Sequence, residues 1–155
     1  AENCALLWAQ QPTYFLLLGR NLSKLNSVGE RIVSSYPHSK FESIAVDFTD
    51  PAEIASVVQK IVGRHKVDTV LIAQGLLPQT DEVQNSLELV KRTVEINGTS
   101  VLLFAQAFIN SMIESDQGTL ALISSVAGDR GRKTAAIYGA AKAMVSHYAQ
   151  GLQHQ

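Results

Sequence analysis

The sequence predicts an α/β protein in which a doubly wound parallel sheet carries helices on both faces. Short continuous apolar runs, typical of strands buried on both faces, alternate with longer segments whose apolar residues recur at helical spacing. Strands that alternate with helices imply βαβ crossovers and therefore parallel pairing. The chain has 155 residues, 46% of them apolar and 17% charged, which suits one globular domain over residues 1–155.

Local signals place each element along the chain. The predicted strands are 14–18, 41–46, 67–72 and 119–123, and the predicted helices are 3–10, 22–35, 51–62, 86–115 and 135–155. Asp50 followed by Pro51 is typical of a helix start, with Asp50 as the N-cap and Pro51 at the first helical position. Gly19 ends the first strand, and the segment 124–134 before the last helix is glycine-rich and polar.

The composition argues against several classes of protein. The formal net charge is -1, and Lys and Arg are scattered, so we expect neither nucleic acid nor an anionic membrane as a partner. Apolar stretches such as 101–108 are far shorter than the roughly 20 residues of a membrane span. The N-terminus lacks the pattern of a secretory signal, and we expect a cytoplasmic protein. The single cysteine, Cys4, permits neither an internal disulfide nor a thiolate metal site, and we expect no metal.

Three residues suggest proton-transfer chemistry. Tyr138 and Lys142 lie four residues apart in the last predicted helix, and therefore one turn apart on one face. A free phenol titrates near pH 10, so its use near neutrality requires a stabilised phenolate, which a nearby ammonium provides in part. Ser125 lies thirteen residues before Tyr138 at the expected end of the fourth strand, where open α/β sheets bind ligands. The alternative is a packing pair on a helix surface and a turn serine.

Asn97 interrupts an apolar stripe in the long predicted helix. The stripe consists of Val90, Val94, Asn97, Val101, Phe104 and Phe108. A buried amide without hydrogen bonds costs on the order of 2 kcal/mol or more, so Asn97 should have specific polar partners. Gly98 beside it indicates close backbone approach or a local kink. The alternative is a packing asparagine whose amide is satisfied by the backbone.

Together these residues resemble the short-chain dehydrogenase/reductase family, of the classical type. The resemblance covers essentially the whole chain, and its motifs are, in order, Gly19-Arg20-Asn21, Val46-Asp47, Gly75, Asn97-Gly98-Thr99, Ser125 and Tyr138-x-x-x-Lys142. It implies a Rossmann-like fold and hydride transfer between a nicotinamide cofactor and a carbonyl or alcohol. By this resemblance Asn97, Ser125, Tyr138 and Lys142 form a catalytic tetrad, in which Asn97 helps to hold a proton-relaying water.

The resemblance also implies where a cofactor binds. The residue matching Asp47 contacts adenine, the loop 73–75 borders the cofactor, and Lys142 can hold ribose hydroxyls. NAD-dependent members usually have an acidic residue where this chain has Gly19, and the Arg20 that follows suits a 2′-phosphate, so NADP(H) is expected over NAD(H). The expected cofactor-binding residues are Arg20, Asp47, Phe48, Ala73, Gln74, Gly75, Tyr138 and Lys142.

The chain also departs from the family's pattern. The segment 72–75 reads Ile-Ala-Gln-Gly where the family often has Asn-Asn-Ala-Gly, so the hydrogen bonds of those asparagines must be replaced or lost. The family's glycine-rich phosphate loop, the strand before it and the C-terminal part have no counterpart in the sequence, so we expect an incomplete sheet and no activity from this chain alone. In the expected strand order, the absent strand lies between the first and third strands seen here.

The expected function is that of an NADP(H)-dependent oxidoreductase acting on a small-molecule ketone or secondary alcohol. The wording of 124–132 is similar to that of keto-sugar reductases, which makes a keto-sugar one candidate substrate. Family members usually assemble through the helices matching the long and last helices, so we expect a homodimer or homotetramer of the intact protein. The alternative is a non-catalytic Rossmann-like fragment or interaction module that lacks the phosphate loop.

Overall fold

A computed structural model describes residues 1–153, in which strands and helices alternate as the sequence predicts. Within these residues the strands are β1 (Tyr14–Gly19), β2 (Lys40–Ala45), β3 (Thr69–Ile72) and β4 (Thr119–Leu122). The α-helices are α1 (Glu2–Trp8), α2 (Leu22–Ser35), α3 (Pro51–Val62), α4 (Thr80–Gln84), α5 (Leu87–Val94), α6 (Ser100–Ser115) and α7 (Ala136–Leu152).

All strand pairing among the described residues is parallel. β1 pairs with β2 and β3 pairs with β4, which gives two two-stranded sheets. Each of the four strands pairs with one described strand, and the expected strand order stays a prediction. The Rossmann-like α/β prediction is therefore confirmed, with small sheets. The chain divides into two compact units, 1–53 and 54 onward, and the single domain over 1–155 stays a prediction.

The first unit has an apolar core between its helices and its sheet. The core cluster consists of Ala5, Ala9, Phe15 and Ile32, with Leu6, Leu17, Val28, Tyr36 and Phe41 packed against it. Gly29 of α2 lies so close to β2 that an added Cβ would be 2.2 Å from the ring of Phe41. The Asp50 prediction is confirmed, because its Oδ1 accepts from the backbone N–H groups of Ala52 at 2.8 Å and Glu53 at 3.2 Å at the start of α3.

In the second unit, α5 and α6 are joined by a π-helical turn, Glu95–Thr99. The segment Leu87–Ser115 is the one helix among residues 1–153 that is long and apolar enough to cross a membrane by length and composition. Half of its apolar window is buried inside the protein, as in a core helix. The buried side chains of α6 are Ser100, Val101, Phe104, Ala105, Phe108 and Met112.

Several predicted boundaries differ from the observed ones. β3 begins at Thr69 instead of Val67, since its ladder with β4 begins there. Helix α4 was not predicted, because its five residues have no apolar periodicity and it begins through a local bond from Gln79 N–H to Glu82 Oε2 of 3.1 Å. The segment 124–134 contains the 3-10 turn Val126–Gly128, and a second 3-10 turn, Lys133–Ala135, runs from its end into the last predicted helix. The last predicted helix ends at Leu152, and its residues 154–155 lie outside the described residues.

Candidate active site

Ser125 lies where the chain leaves β4. The backbone N–H of Ile123 still donates to Ile72 O at 3.0 Å, and two residues later Ser125 has extended backbone at the start of the first 3-10 turn. The Ser125 Oγ accepts from the N–H of Ala127 at 3.2 Å. Its own proton has no acceptor among the described residues, so the hydroxyl remains available to donate to a substrate oxygen.

Tyr138 and Lys142 lie one turn apart on α7, as predicted. Tyr138 is half-buried, and its hydroxyl has no hydrogen-bond partner among residues 1–153. Lys142 is only 2% exposed, and its Nζ lies 6.0 Å from the centroid of the Tyr138 ring and donates to Ile123 O at 2.8 Å. Burial lowers the pKa of Lys142. An ammonium has three N–H donors, so two are left for other acceptors at this site.

Two glycines allow the turn that carries Ser125 to pack against the backbone of α7. A Cβ at Gly139 would lie 2.5 Å from the carbonyl oxygen of Ala127, and a Cβ at Gly128 would lie 2.8 Å from the backbone nitrogen of Ala143. Real Cβ contacts are essentially never that short. Close backbone approach at these two positions therefore holds Ser125 next to the helix of Tyr138 and Lys142.

Asn97 is fully buried in the π-helical turn, as the apolar stripe predicts. Its Nδ2 donates to Leu76 O at 2.7 Å and to Thr93 O at 2.8 Å, while its Oδ1 accepts from the N–H of Leu76 at 2.9 Å. The side chain thus clamps the loop after β3, and all its partners are backbone groups, as in the packing alternative. The proposed role of Asn97 in a proton relay stays a prediction. An added Cβ at Gly98 would lie 2.1 Å from Met144 Cε, the end of a flexible side chain, and 3.4 Å from the backbone oxygen of Ala141.

The loop after β3 is also held by a contact that sequence reasoning missed. The Gln74 Nε2 donates to Ser100 Oγ at 2.9 Å, and Ser100 is 1% exposed at the start of α6. Gly75 lies close to the Asn97 amide, since an added Cβ would be 3.1 Å from Oδ1. Ala73 is half-buried. Gln74 and Asn97 therefore both tie the loop after β3 to the segment 97–100.

The remaining predicted cofactor residues belong to the first unit. Arg20 is exposed directly after β1 and forms no ion pair within 4 Å of any described residue. Asp47 Oδ1 accepts from both the N–H and the hydroxyl of Thr49 at 2.8 Å. The Thr49 N–H, then its hydroxyl, and to a smaller degree the charge of Arg20 lower the pKa of Asp47. Phe48 is half-buried.

Two serines beside the tetrad were not singled out by the sequence. Ser124 Oγ donates to Lys142 O at 3.0 Å and lies 2.6 Å from Ser146 Oγ. Ser146 follows Lys142 by four residues and shares its helix face, which is the one signal in the sequence that could have found it. Among residues 1–153, no three His, Cys, Asp or Glu side chains are grouped to hold a metal ion.

A parallel α/β fold with a serine at a strand end and a Tyr-x-x-x-Lys helix packed against it defines a class of oxidoreductase. The family model for short chain dehydrogenase matches residues 1–155, and this chain belongs to that family. An uncharacterized oxidoreductase of Staphylococcus aureus (strain N315) is 26% identical over 157 residues, which cover 99% of this chain and 65% of that protein. The chain therefore spans just under two thirds of the length of this relative.

Solved structures show the same fold. A bulky-bulky ketone specific alcohol dehydrogenase from Comamonas testosteroni superposes with a TM-score of 0.85 at 22% identity, covering 96% of this chain and 59% of that one. A short-chain dehydrogenase from Sphingobium yanoikuyae in complex with NADPH gives a TM-score of 0.79 at 25% identity, with coverage of 96% and 58%.

Proposed function

We propose that the protein containing this chain is an NADP(H)-dependent oxidoreductase that interconverts a ketone and a secondary alcohol. The observation that carries the proposal is the pair of hydroxyls with no acceptor among the described residues, Ser125 and Tyr138, beside the buried ammonium of Lys142. A binding module has no need for two unoccupied proton donors next to a buried cation. Membership in the family and the likeness to a ketone-specific alcohol dehydrogenase support the same reaction.

The residues of the chain account for the proton and the orientation of the substrate. A bound nicotinamide supplies the hydride. In reduction, Ser125 donates a hydrogen bond to the carbonyl oxygen and stabilises its developing negative charge. Tyr138 gives its phenolic proton to that oxygen, and the ammonium of Lys142 stabilises the phenolate that remains. Asn97 keeps the loop after β3 in place through Leu76.

The exposed charges of the first unit fit a phosphorylated dinucleotide. Arg20 follows β1 at its carboxyl end, and its guanidinium has no ion pair with a described residue, so it can take a 2′-phosphate. Asp47 and Phe48 are proposed to border the adenine, and Ala73, Gln74 and Gly75 the rest of the cofactor. The NADPH complex of a relative 25% identical to this chain supports this choice of cofactor.

Further features are proposed for the whole protein. We place it in the cytoplasm as a homodimer or homotetramer, with a keto-sugar as one candidate substrate. This chain by itself is expected to be inactive, since it spans under two thirds of its relative's length. A non-catalytic Rossmann-like interaction module is the alternative.

The test is a steady-state assay of the complete gene product that contains this chain, with NADPH or NADH and a panel of ketones. NADPH-dependent turnover is expected. Arg20→Ala should weaken the affinity for NADPH by about tenfold while leaving the affinity for NADH nearly unchanged. Arg64→Ala, which removes an exposed arginine of the second unit, is the matched control. Equal effects of Arg20→Ala on both cofactors would contradict the NADP(H) assignment. Cofactor binding without turnover on any ketone would favour the non-catalytic alternative.

A further inference from the structure

Lys142 is held at both of its ends by consecutive residues. Its ammonium donates to Ile123 O at 2.8 Å, and its backbone carbonyl accepts from Ser124 Oγ at 3.0 Å. Ile123 and Ser124 directly follow β4, and the next residue is Ser125. The same stretch of chain therefore carries the serine of the site and the two anchors of its lysine.

Ser146 completes a directional chain of hydroxyls. A serine hydroxyl has one proton, and that of Ser124 is donated to the carbonyl of Lys142. In the 2.6 Å contact between the two hydroxyls, Ser146 must therefore be the donor. Both serines are half-buried, so water competes poorly for these bonds. The order of donation is Ser146 to Ser124 to Lys142 O.

The series of hydrogen bonds from Ser146 to Ser124 to Lys142 O supplies a restraint that packing alone does not. The contacts of Gly139 with Ala127 and of Gly128 with Ala143 set how closely the turn approaches α7. These are contacts with the backbone and have no directional preference, unlike hydrogen bonds. Hydrogen bonds are directional, and those of Ser124 fix both Lys142 and the next helical turn at Ser146.

We propose that Ser146 and Ser124 are positioning residues that set the rotation of α7, and with it the placement of Tyr138 and Lys142 against Ser125. This inference rests on the proposed oxidoreductase function. A displacement of about 1 Å in reacting groups costs up to about a hundredfold in rate, so loss of the restraint should lower kcat. The KM for NADPH should change less than kcat, because proton transfer from Tyr138 depends more steeply on alignment than the hydrogen bonds of Lys142 to the ribose do.

The experiment measures kcat and the KM for NADPH in the complete gene product for five variants. These are Ser146→Ala, Ser146→Thr, Ser124→Ala, the double alanine variant, and His147→Ala as the control for an exposed residue on the same helix. We expect Ser146→Ala to lower kcat about tenfold with KM within about twofold, and Ser146→Thr, which keeps the hydroxyl, to restore kcat. The double variant should be no slower than Ser124→Ala, since both changes break one chain.

Other results would overturn the inference. The positioning role would be contradicted if Ser146→Ala and His147→Ala had the same kcat. It would also be contradicted if Ser146→Thr did not restore the kcat that Ser146→Ala loses. If the loss of kcat in the double variant equalled the product of the two single losses, the two serines would act independently, which would contradict one connected series of hydrogen bonds. No turnover by the wild-type protein would overturn the proposed function and this inference with it, whereas turnover insensitive to Ser146 would overturn this inference alone.

Discussion

In the first unit, residues 1–53, the core cluster is apolar, and the buried side-chain oxygens of Ser39 and Ser43 have no hydrogen-bond partner among residues 1–153. In the second unit, each polar side chain classed as buried has a partner. Thr93 donates to Leu89 O at 2.7 Å, Asn97 clamps Leu76, and Lys142 donates to Ile123 O. Buried polar groups are retained at little cost only where they are paired. Asn97 and Lys142 belong to the candidate site and Thr93 O accepts from Asn97, so paired polar burial in the second unit coincides with the candidate site.

The assignment of the candidate site to the second unit is tested most strongly at Tyr138. Tyr138→Phe removes the proton donor but keeps the ring, so activity should fall by about a hundredfold to ten-thousandfold. NADPH affinity, measured by calorimetry, should stay within about threefold, because the change leaves Lys142 in place. Retention of more than a tenth of the wild-type kcat would remove Tyr138 from the chemistry.

Substitution of two glycines of α7 tests whether the close approach of this helix to the turn that carries Ser125 matters for activity. Gly139→Ala should lower kcat by more than about tenfold, since its Cβ would lie 2.5 Å from Ala127 O and would displace the turn. Gly151→Ala is the control, because no described residue of another turn or element lies within 4 Å of a Cβ there. Its better helix propensity should stabilise this variant by up to about 1 kcal/mol. Equal activities of the two variants would mean that the contact does not position Ser125.

Removal of a buried polar side chain should affect stability differently depending on whether that side chain has hydrogen-bond partners. Asn97→Ala leaves the N–H and carbonyl of Leu76 without their partner and should lower the free energy of unfolding by about 1–3 kcal/mol. Ser39→Ala removes a hydroxyl that has no partner among the described residues and should leave stability unchanged or slightly raised. Denaturant titration of both variants measures the difference. Comparable losses at the two positions would contradict the contrast between the units.

The smallest effect is expected at the exposed ion pair of the first unit. Glu2 accepts from Arg31 at 2.8 Å, and this hydrogen bond lowers the pKa of Glu2 below 4.5. A carboxyl whose pKa is lower in the folded state than in the unfolded state stabilises the fold. This stabilisation is present when the pH is above the unfolded-state pKa, and it is lost as the pH falls through the folded-state pKa. The small difference in melting temperature between wild type and Glu2→Gln should therefore be present at pH 7 and shrink as the pH falls below about 4.5. A difference that grows on acidification would contradict this sign.

Sequence reasoning recovered the parts of the structure that local pattern determines. Apolar runs located the strands, Asp50 and Pro51 located the start of α3, and the stripe around Asn97 predicted its burial. The π-helical turn Glu95–Thr99 was not predicted, because a 3.6-residue periodicity does not show where one extra residue enters the helix. Gly98 was its one visible sign.

The pairings around the site depend on tertiary placement. Gln74 and Ser100 are 26 residues apart in the chain, and Ser124 and Ser146 are 22 apart. No periodicity connects residues on different elements, so these serines read as ordinary loop and helix residues until the strand ends and α7 are placed. The tetrad residues were identified through a family pattern, whereas the residues that hold them were visible only in the fold.

The central claim is that the protein moves a hydride between a nicotinamide and a carbonyl carbon while Tyr138 supplies the proton. The most direct measurement is mass spectrometry of the alcohol formed by the complete gene product from a ketone and NADPH deuterated at the transferable position. We predict an alcohol one mass unit heavier than the product made with unlabelled NADPH, with its formation largely abolished in Tyr138→Phe. An alcohol without deuterium, or equal labelled product from Tyr138→Phe, would contradict the account.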